Sequence, residues 1–314
     1  MKNLLIGVHA MGSTVASILD RIVLAEELGV QCAWMTSGRL SPDPMVIYGA
    51  AALKTKRIQL GTSIIPTFQL HPLALVQQAV AVDQLAPGRL RLGVGPSHKP
   101  VVEGVLGIPF DKPQEQLREY LTVLRAVLNK GEVNFTGKRI TARGSLPAPT
   151  QVKVLASALR ANGFKLCGEM ADGAISWMCP LTYLRDVAAP ALREGARSAG
   201  RTPPPLIGHV PVIVSEDAAA VREAARQQIG FYPQIPYYSQ MLQDAGFPEA
   251  ARGELSDRMI DTLVVHGSAA QVKERLRTLP SYSVDELLAT VIEPQGDAKA
   301  FERTVKALGE LAAE

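Results

Sequence analysis

Short β-branched or apolar runs alternate with longer amphipathic stretches along the whole chain, and this alternation constrains the fold more than any other feature. Strand-like runs fall at Leu4–Val8, Cys32–Met35, Gln59–Ile64, Leu90–Val94, Lys153–Ser157, Ala174–Met178, Ile207–Val214 and Glu286–Ile292. Helical periodicity fills the gaps, at Ser13–Leu28, Asp43–Leu53, Pro72–Leu85, Gln114–Asn129, Asn162–Ala171, Thr182–Ala199, Glu216–Gln228, Ser268–Leu279 and Ala298–Ala313. In the first of these, Val15, Ile18, Leu19, Ile22 and Val23 recur at helical spacing, and Gly29 stands just past the end as a C-cap. Pro44 and Pro72 occupy first-turn positions, where a missing N–H costs nothing. Strands joined by helices must run parallel. Eight of them, with no composition break, predict a closed (β/α)8 TIM barrel rather than an open doubly wound sheet. At 314 residues the chain reads as one α/β domain, 1–314, with inserted segments. The insertions are a small hairpin (Val133–Phe135 and Arg139–Thr141, turning at Gly137-Lys138), a Gly/Pro-rich loop from Arg143 to Gln151, and an irregular aromatic stretch from Gly230 to Val265.

Composition excludes several function classes. A formal charge of +3, spread along the chain, gives no reason to expect a nucleic-acid partner. Hydrophobic residues at 47% and charged residues at 20% are enough for a large core, which rules out disorder for most of the chain. Cys32, Cys167 and Cys179 are odd in number and lack CxxC spacing, so a disulfide framework is not expected and a reducing, cytoplasmic setting fits. The first residues read as a strand rather than a signal peptide, and no apolar stretch approaches the ~20 residues of a membrane span. The five histidines lie far apart, none with an i, i+4 partner, so no metal site is expected. A GxSxG elbow and a P-loop are both absent.

A barrel carries its site at the C-terminal ends of its strands. The residues to examine are therefore His9 and Met11, Thr36 to Gly38, Ser63 to Gln69, Gly95 to Lys99, Ala158 to Arg160, Trp177 to Pro180, Ser215 and Glu293. Gly93-Val94-Gly95-Pro96-Ser97-His98 lacks the third glycine of a dinucleotide loop, and Pro96 and Pro100 argue against an immediate helix. It reads as a strand end where a ligand approaches the backbone closely. His71, where a loop enters a helix, reads as a capping residue before it reads as a ligand. Trp34 and Trp177 lie near strand ends, Trp177 closer to the mouth; packing is the ordinary role for either.

Leu60 to Gly107 (LGTSIIPTFQLHPLALVQQAVAVDQLAPGRLRLGVGPSHKPVVEGVLG), REYL from Arg118 and CGEMADGAISWM from Cys167 form a specific combination in this order. By these motifs the chain resembles the bacterial luciferase-like superfamily of flavin and deazaflavin oxidoreductases. It looks closest to the branch dependent on the deazaflavin coenzyme F420, which includes methylenetetrahydromethanopterin reductase-like proteins. The resemblance implies a barrel that binds an isoalloxazine-like ring at its mouth, acts on a small-molecule substrate and is a homodimer. It implies a non-prolyl cis peptide at Ser63–Ile64 backing the ring. It places cofactor contacts at Ser63, Ile64, Gly95, Pro96, Ser97, His98, Ala156, Ser157, Ala158, Trp177 and Met178, with backbone amides near Gly95, Ser157 and Trp177 meeting anionic oxygens.

The chain departs from its relatives in two places. Many of them end the second strand with Asp-His or Glu-His, where this chain has Thr36-Ser37; some carry Glu after the fourth strand, where His98 stands. The candidates for a proton donor are then His98, His9 and Glu103, with His98 first because an unperturbed imidazole titrates near ~6.5. The resulting reading is hydride transfer between coenzyme F420 and a small organic substrate, with the aromatic run Phe231–Tyr238 as part of a lid, pocket wall or packing surface. Its rivals are an FMN-dependent monooxygenase, a non-catalytic flavin-binding barrel and, more distantly, a nicotinamide enzyme.

Overall fold

The computed structural model of the chain describes residues 4–38 and 40–314. Eight parallel strands close into a barrel: β1 (Leu5–His9), β2 (Cys32–Met35), β3 (Gln59–Thr62), β4 (Leu90–Gly95), β5 (Lys153–Ser157), β6 (Ala174–Ile175), β7 (Leu206–Val214) and β8 (Glu286–Val291). Each pairs with its neighbour in sequence, and β8 returns to β1 with Gly7 opposite Leu288. One main helix follows each strand: α1 (Val15–Glu27), α2 (Pro44–Lys54), α3 (Pro72–Leu85), α4 (Pro113–Lys130), α5 (Ala161–Met170), α6 (Ala189–Ser198), α7 (Ala218–Ile229) and α8 (Ala300–Ala312). The barrel and the insertions thus agree with the eightfold alternation in the sequence.

Local details differ from the sequence reading, each for a physical reason. The sixth strand stops at Ile175 rather than Met178, because Met178 takes a left-handed φ of 57° and turns the chain out of the ladder. The inserted hairpin is longer, Glu132–Thr136 paired with Thr141–Ser145. Its turn is held from a distance: the Glu119 carboxylate on α4 accepts from the amides of Lys138, Arg139 and Ile140 at 2.8–2.9 Å. A one-and-a-half-turn helix, Lys99–Gly104, does follow β4. Pro100 lies in its first turn, where proline is tolerated. A further strand, Val265–Gly267, extends the sheet on the outer half of β7. His71 caps α3, accepting from the Leu73 amide through Nδ1.

Apolar faces of the helices pack around the outside of the barrel and form the main core. The lumen holds a second, smaller cluster: Cys32, Trp34, Leu155, Ile175, Ile207 and Leu288. Trp34 is its largest member and is fully buried. Gly7 and Gly61 face the indole from the neighbouring strands, and a Cβ at either would overlap it. Toward the N-terminal strand ends, the Arg91 guanidinium lies 5.1 Å from the indole and pairs with Glu286 at 2.6 Å. The lumen is therefore a solid plug, and chemistry is confined to its other end.

Two outcomes are expected. Trp34→Ala leaves a cavity that α helices outside the barrel cannot fill, and urea denaturation is expected to show a loss of about 3–5 kcal/mol; a loss below about 1 kcal/mol contradicts the plug. Glu26 on α1 accepts from the amides of Lys56, Arg57 and Ile58. Burial alone raises its pKa, but those three bonds and Arg57 hold it below the ordinary 4.5. A depressed carboxylate stabilises the fold above its unfolded pKa, and the contribution disappears as pH falls through the folded value. Glu26→Gln is expected to lower stability at pH 7 and to flatten its fall on acidification, read from urea midpoints across that range.

Candidate functional site

Side chains alternate along each strand, so the lumen series of β1 runs Leu5, Gly7, His9, and that of β2 runs Cys32, Trp34, Thr36. The same alternation brings Ser157, Trp177, His209 and Thr290 inward from β5 to β8. A polar and aromatic layer therefore lies directly above the Trp34 plug. The His9 Nε2 is 2.9 Å from the Thr36 hydroxyl, and that hydroxyl donates to the Ser63 carbonyl at 2.7 Å. His209 Nε2 lies 2.6 Å from the Thr290 hydroxyl. Its ring packs 4.0 Å from Trp177 and edge-on to His9 at 5.7 Å.

The Ser63–Ile64 peptide bond is cis, as the resemblance implies. Its own carbonyl, Ser63 O, accepts from the Thr36 hydroxyl, and the next carbonyl, Ile64 O, accepts from the Ser37 amide at 3.2 Å, both donors lying just past β2. Ser63 N in turn donates to Met35 O at 2.8 Å. Thr36-Ser37, which stands where an acidic-His pair was the pattern to match, thus anchors the loop after β3. Nothing in the local sequence signals that role, because both partners lie in a loop 27 residues away.

The expected contact residues divide into two groups. Ser63, Ile64, Gly95, Pro96, Ser97, His98, Ser157, Ala158 and Trp177 lie at the C-terminal end of the barrel. Ala156 is fully buried in the outer core, and its amide is spent on Gly173 O. Met178 is also fully buried, and its contribution to the mouth is its backbone. The amide of Ala158 is engaged with Ile175 O. Gly95 is needed where Ser157 approaches: a Cβ there would overlap the serine hydroxyl. The close neighbours of Gly93 and Gly95 are thus protein groups, the Thr62 carbonyl and the Ser157 hydroxyl. Ser97 and Met178 both hold left-handed φ values, 64° and 57°, uncommon for residues with a Cβ. Glu293 is held by Arg21 in a two-pronged pair at 2.8 and 2.7 Å, and Glu103 accepts from the Phe110 amide.

His98 sits between two tyrosines, edge-on to Tyr238 at 5.5 Å and to Tyr232 at 6.2 Å. Burial lowers its pKa. Tyr232 also packs edge-on to Trp177 at 5.6 Å, so the aromatic insertion forms a wall over this side of the mouth. Burial lowers His9 to about 4, reinforced by the Arg21 charge, and holds His209 well below the ordinary range. Both imidazoles are neutral at physiological pH.

One buried hydrogen-bonding atom in this layer, Ser63 Oγ, has no partner among the described residues, whereas the Trp177 indole N–H interacts with the Tyr232 side chain. Buried polar atoms are ordinarily satisfied. A planar heteroaromatic ring with carbonyl and ring-nitrogen edges supplies an acceptor for that hydroxyl, so the site fits an isoalloxazine or deazaflavin. No group of three or more His, Cys, Asp or Glu among the described residues could hold a metal ion.

Residues 4–286 match the family model of luciferase-like monooxygenases. The F420-dependent glucose-6-phosphate dehydrogenase of Nakamurella multipartita is 28% identical over 279 residues, covering 82% of this chain and 78% of that protein. Among solved structures, an F420-dependent secondary alcohol dehydrogenase in complex with an F420-acetone adduct superposes with a TM-score of 0.81 at 20% identity, covering 98% and 99% of the two chains. The oxygenating constituent of 3,6-diketocamphane monooxygenase from Pseudomonas putida, in complex with FMN, gives 0.77 at 18% identity over 100% and 98%. The likeness to both structures is one of fold.

Gly95→Ala is expected to displace the Ser157 hydroxyl, to cost about 1–3 kcal/mol by overpacking, and to be partly rescued by Ser157→Gly in the double variant. Additive losses in thermal denaturation would contradict the contact.

Proposed function

The chain belongs to the luciferase-like monooxygenase family, and from that membership we propose that it is an oxidoreductase that holds the deazaflavin coenzyme F420 at its barrel mouth and acts on a small organic substrate. The observation that carries this reading is the buried, unpartnered Ser63 hydroxyl in the polar layer at the mouth of a chain that matches the luciferase-like family over residues 4–286. The choice of deazaflavin over FMN is supported by the F420-dependent relative, which is similar across most of the chain.

Ser63, Ile64, Ser97, Ser157 and Trp177 would hold the ring. When bound, the deazaflavin supplies a two-electron hydride donor or acceptor that does not form the oxygen adduct of a flavin. The chain's own residues provide the remainder. Trp34 and the apolar lumen close the floor against water. Tyr232, Tyr238 and Trp177 form a hydrophobic wall that lowers the local dielectric. Thr36 and Ser37 hold the loop after β3 in place.

The reading extends to a cytoplasmic homodimer. Cys32, Cys167 and Cys179 are all buried free thiols, which suits a reducing compartment. No helix among the described residues is long and apolar enough to cross a membrane. Val46 and Leu53 on α2 are 72% and 76% exposed, at i, i+7 spacing, and Leu85 of α3 lies beside them at 47%. A stripe of this kind is covered most economically by a second copy of itself.

Two measurements test these statements. Fluorescence titration of the purified protein with F420 and with FMN separately is expected to show preferential F420 binding, and the reduced complex is expected to reoxidise slowly in air. Preferential FMN binding with rapid oxygen consumption would move the assignment to monooxygenase; binding of neither by folded protein would remove the cofactor. Leu53→Asp is expected to convert a dimer to a monomer in light scattering, whereas a wild-type monomer refutes the interface.

A further inference from the structure

The hydrogen-bond chain that ends at Ser63 fixes the tautomer of His9. A carbonyl oxygen only accepts, so the Thr36 hydroxyl proton is committed to Ser63 O. The same hydroxyl oxygen lies 2.9 Å from His9 Nε2 and has no proton left to give it. His9 Nε2 must therefore donate, and in a neutral imidazole Nδ1 then carries the lone pair. His9 is a partly buried residue at the end of β1, and its ring stands in the layer that also holds Trp177 and His209.

We propose that His9 is the proton-handling residue of the mouth, taking the substrate proton at Nδ1 and returning it in the reverse direction, with Thr36 as its positioning residue. The proposal rests on the functional reading above. In the oxidative direction an O–H or N–H bond of the substrate breaks and Nδ1–H forms. The hydride on the adjacent carbon passes to the oxidised deazaflavin, which is reduced, while the substrate gains a C=O or C=N bond. Reduction of the substrate is the reverse.

The surroundings agree. Arg21 is the cation that acts on His9, and its own charge is paired with Glu293. His209, the aromatic neighbour across the lumen, is neutral. Burial and the Arg21 charge keep His9 uncharged, so its Nδ1 lone pair is unprotonated at neutral pH. His98 has the opposite geometry: its ring is boxed by Tyr232 and Tyr238, and among the described residues no hydrogen bond fixes its tautomer or aims either nitrogen. The sequence ranks His98 first; the hydrogen bonds favour His9.

The test uses the full chain and needs no known substrate. In nitrogen-15 spectra of histidine-labelled protein at pH 7, His9 is expected as a neutral ring with Nε2 protonated and Nδ1 bare. Thr36→Val is expected to lose that preference while remaining folded by circular dichroism. A protonated Nδ1, or an imidazolium, in the wild type overturns the proposal. Diethyl pyrocarbonate, which acylates an unprotonated imidazole nitrogen, then reads access. The His9 peptide is expected to be modified, and F420 at ten times its Kd is expected to slow that reaction about tenfold by mass action. A merely structural histidine would be unreactive, or would react at the same rate with F420 bound; either result overturns the proposal. Failure of F420 to bind at all, read by its own fluorescence, overturns the functional reading and with it the protection, while the tautomer result stands separately.

Discussion

Everything above the middle of the barrel depends on Trp34. Its indole fills a lumen cleared for it by Gly7 and Gly61, and it carries Arg91 and Glu286 on its far side. A charge pair this deep is worth little on its own account, but removing one partner of such a pair costs about 3–5 kcal/mol. The packed indole and the paired guanidinium together make the barrel floor rigid and dry. The layer of His9, Thr36, His209 and Trp177 rests on that floor, so its hydrogen bonds form with little competition from water.

The loop after β3 shows how this layer is built. A threonine and a serine just past β2 hold the carbonyl of the cis bond and the one after it, and the methionine before them accepts from the Ser63 amide. The protein thereby spends three bonds on the backbone of one loop. The hydroxyl that secures Ser63 is the same one that orients His9. Scaffold and chemistry share an atom, so a change at Thr36 is a change to both.

Much of the architecture was legible in the sequence, because periodicity reports burial directly. The eight strands, the proline-opened helices α2 and α3 and the capping role of His71 all follow from local pattern. What escaped were features set by partners distant in sequence. The hairpin turn depends on Glu119, nineteen or more residues away. The short end of β6 depends on a left-handed Met178, which no side-chain pattern announces. At the site, positions near the strand ends were legible from topology, but which of them face inward was not: Ala156 alternates outward and joins the outer core. The anchoring role of Thr36-Ser37 was hidden for the same reason, since a motif comparison reports only that histidine is missing there.

The most direct test of the account is a crystal structure of the protein with oxidised F420 bound. The account predicts the ring against the Ser63–Ile64 peptide, with Ser63 Oγ donating a hydrogen bond to it and His9 Nδ1 facing the open side. A deazaflavin bound elsewhere, or bound at the mouth with the Ser63 hydroxyl still unpartnered, would contradict it.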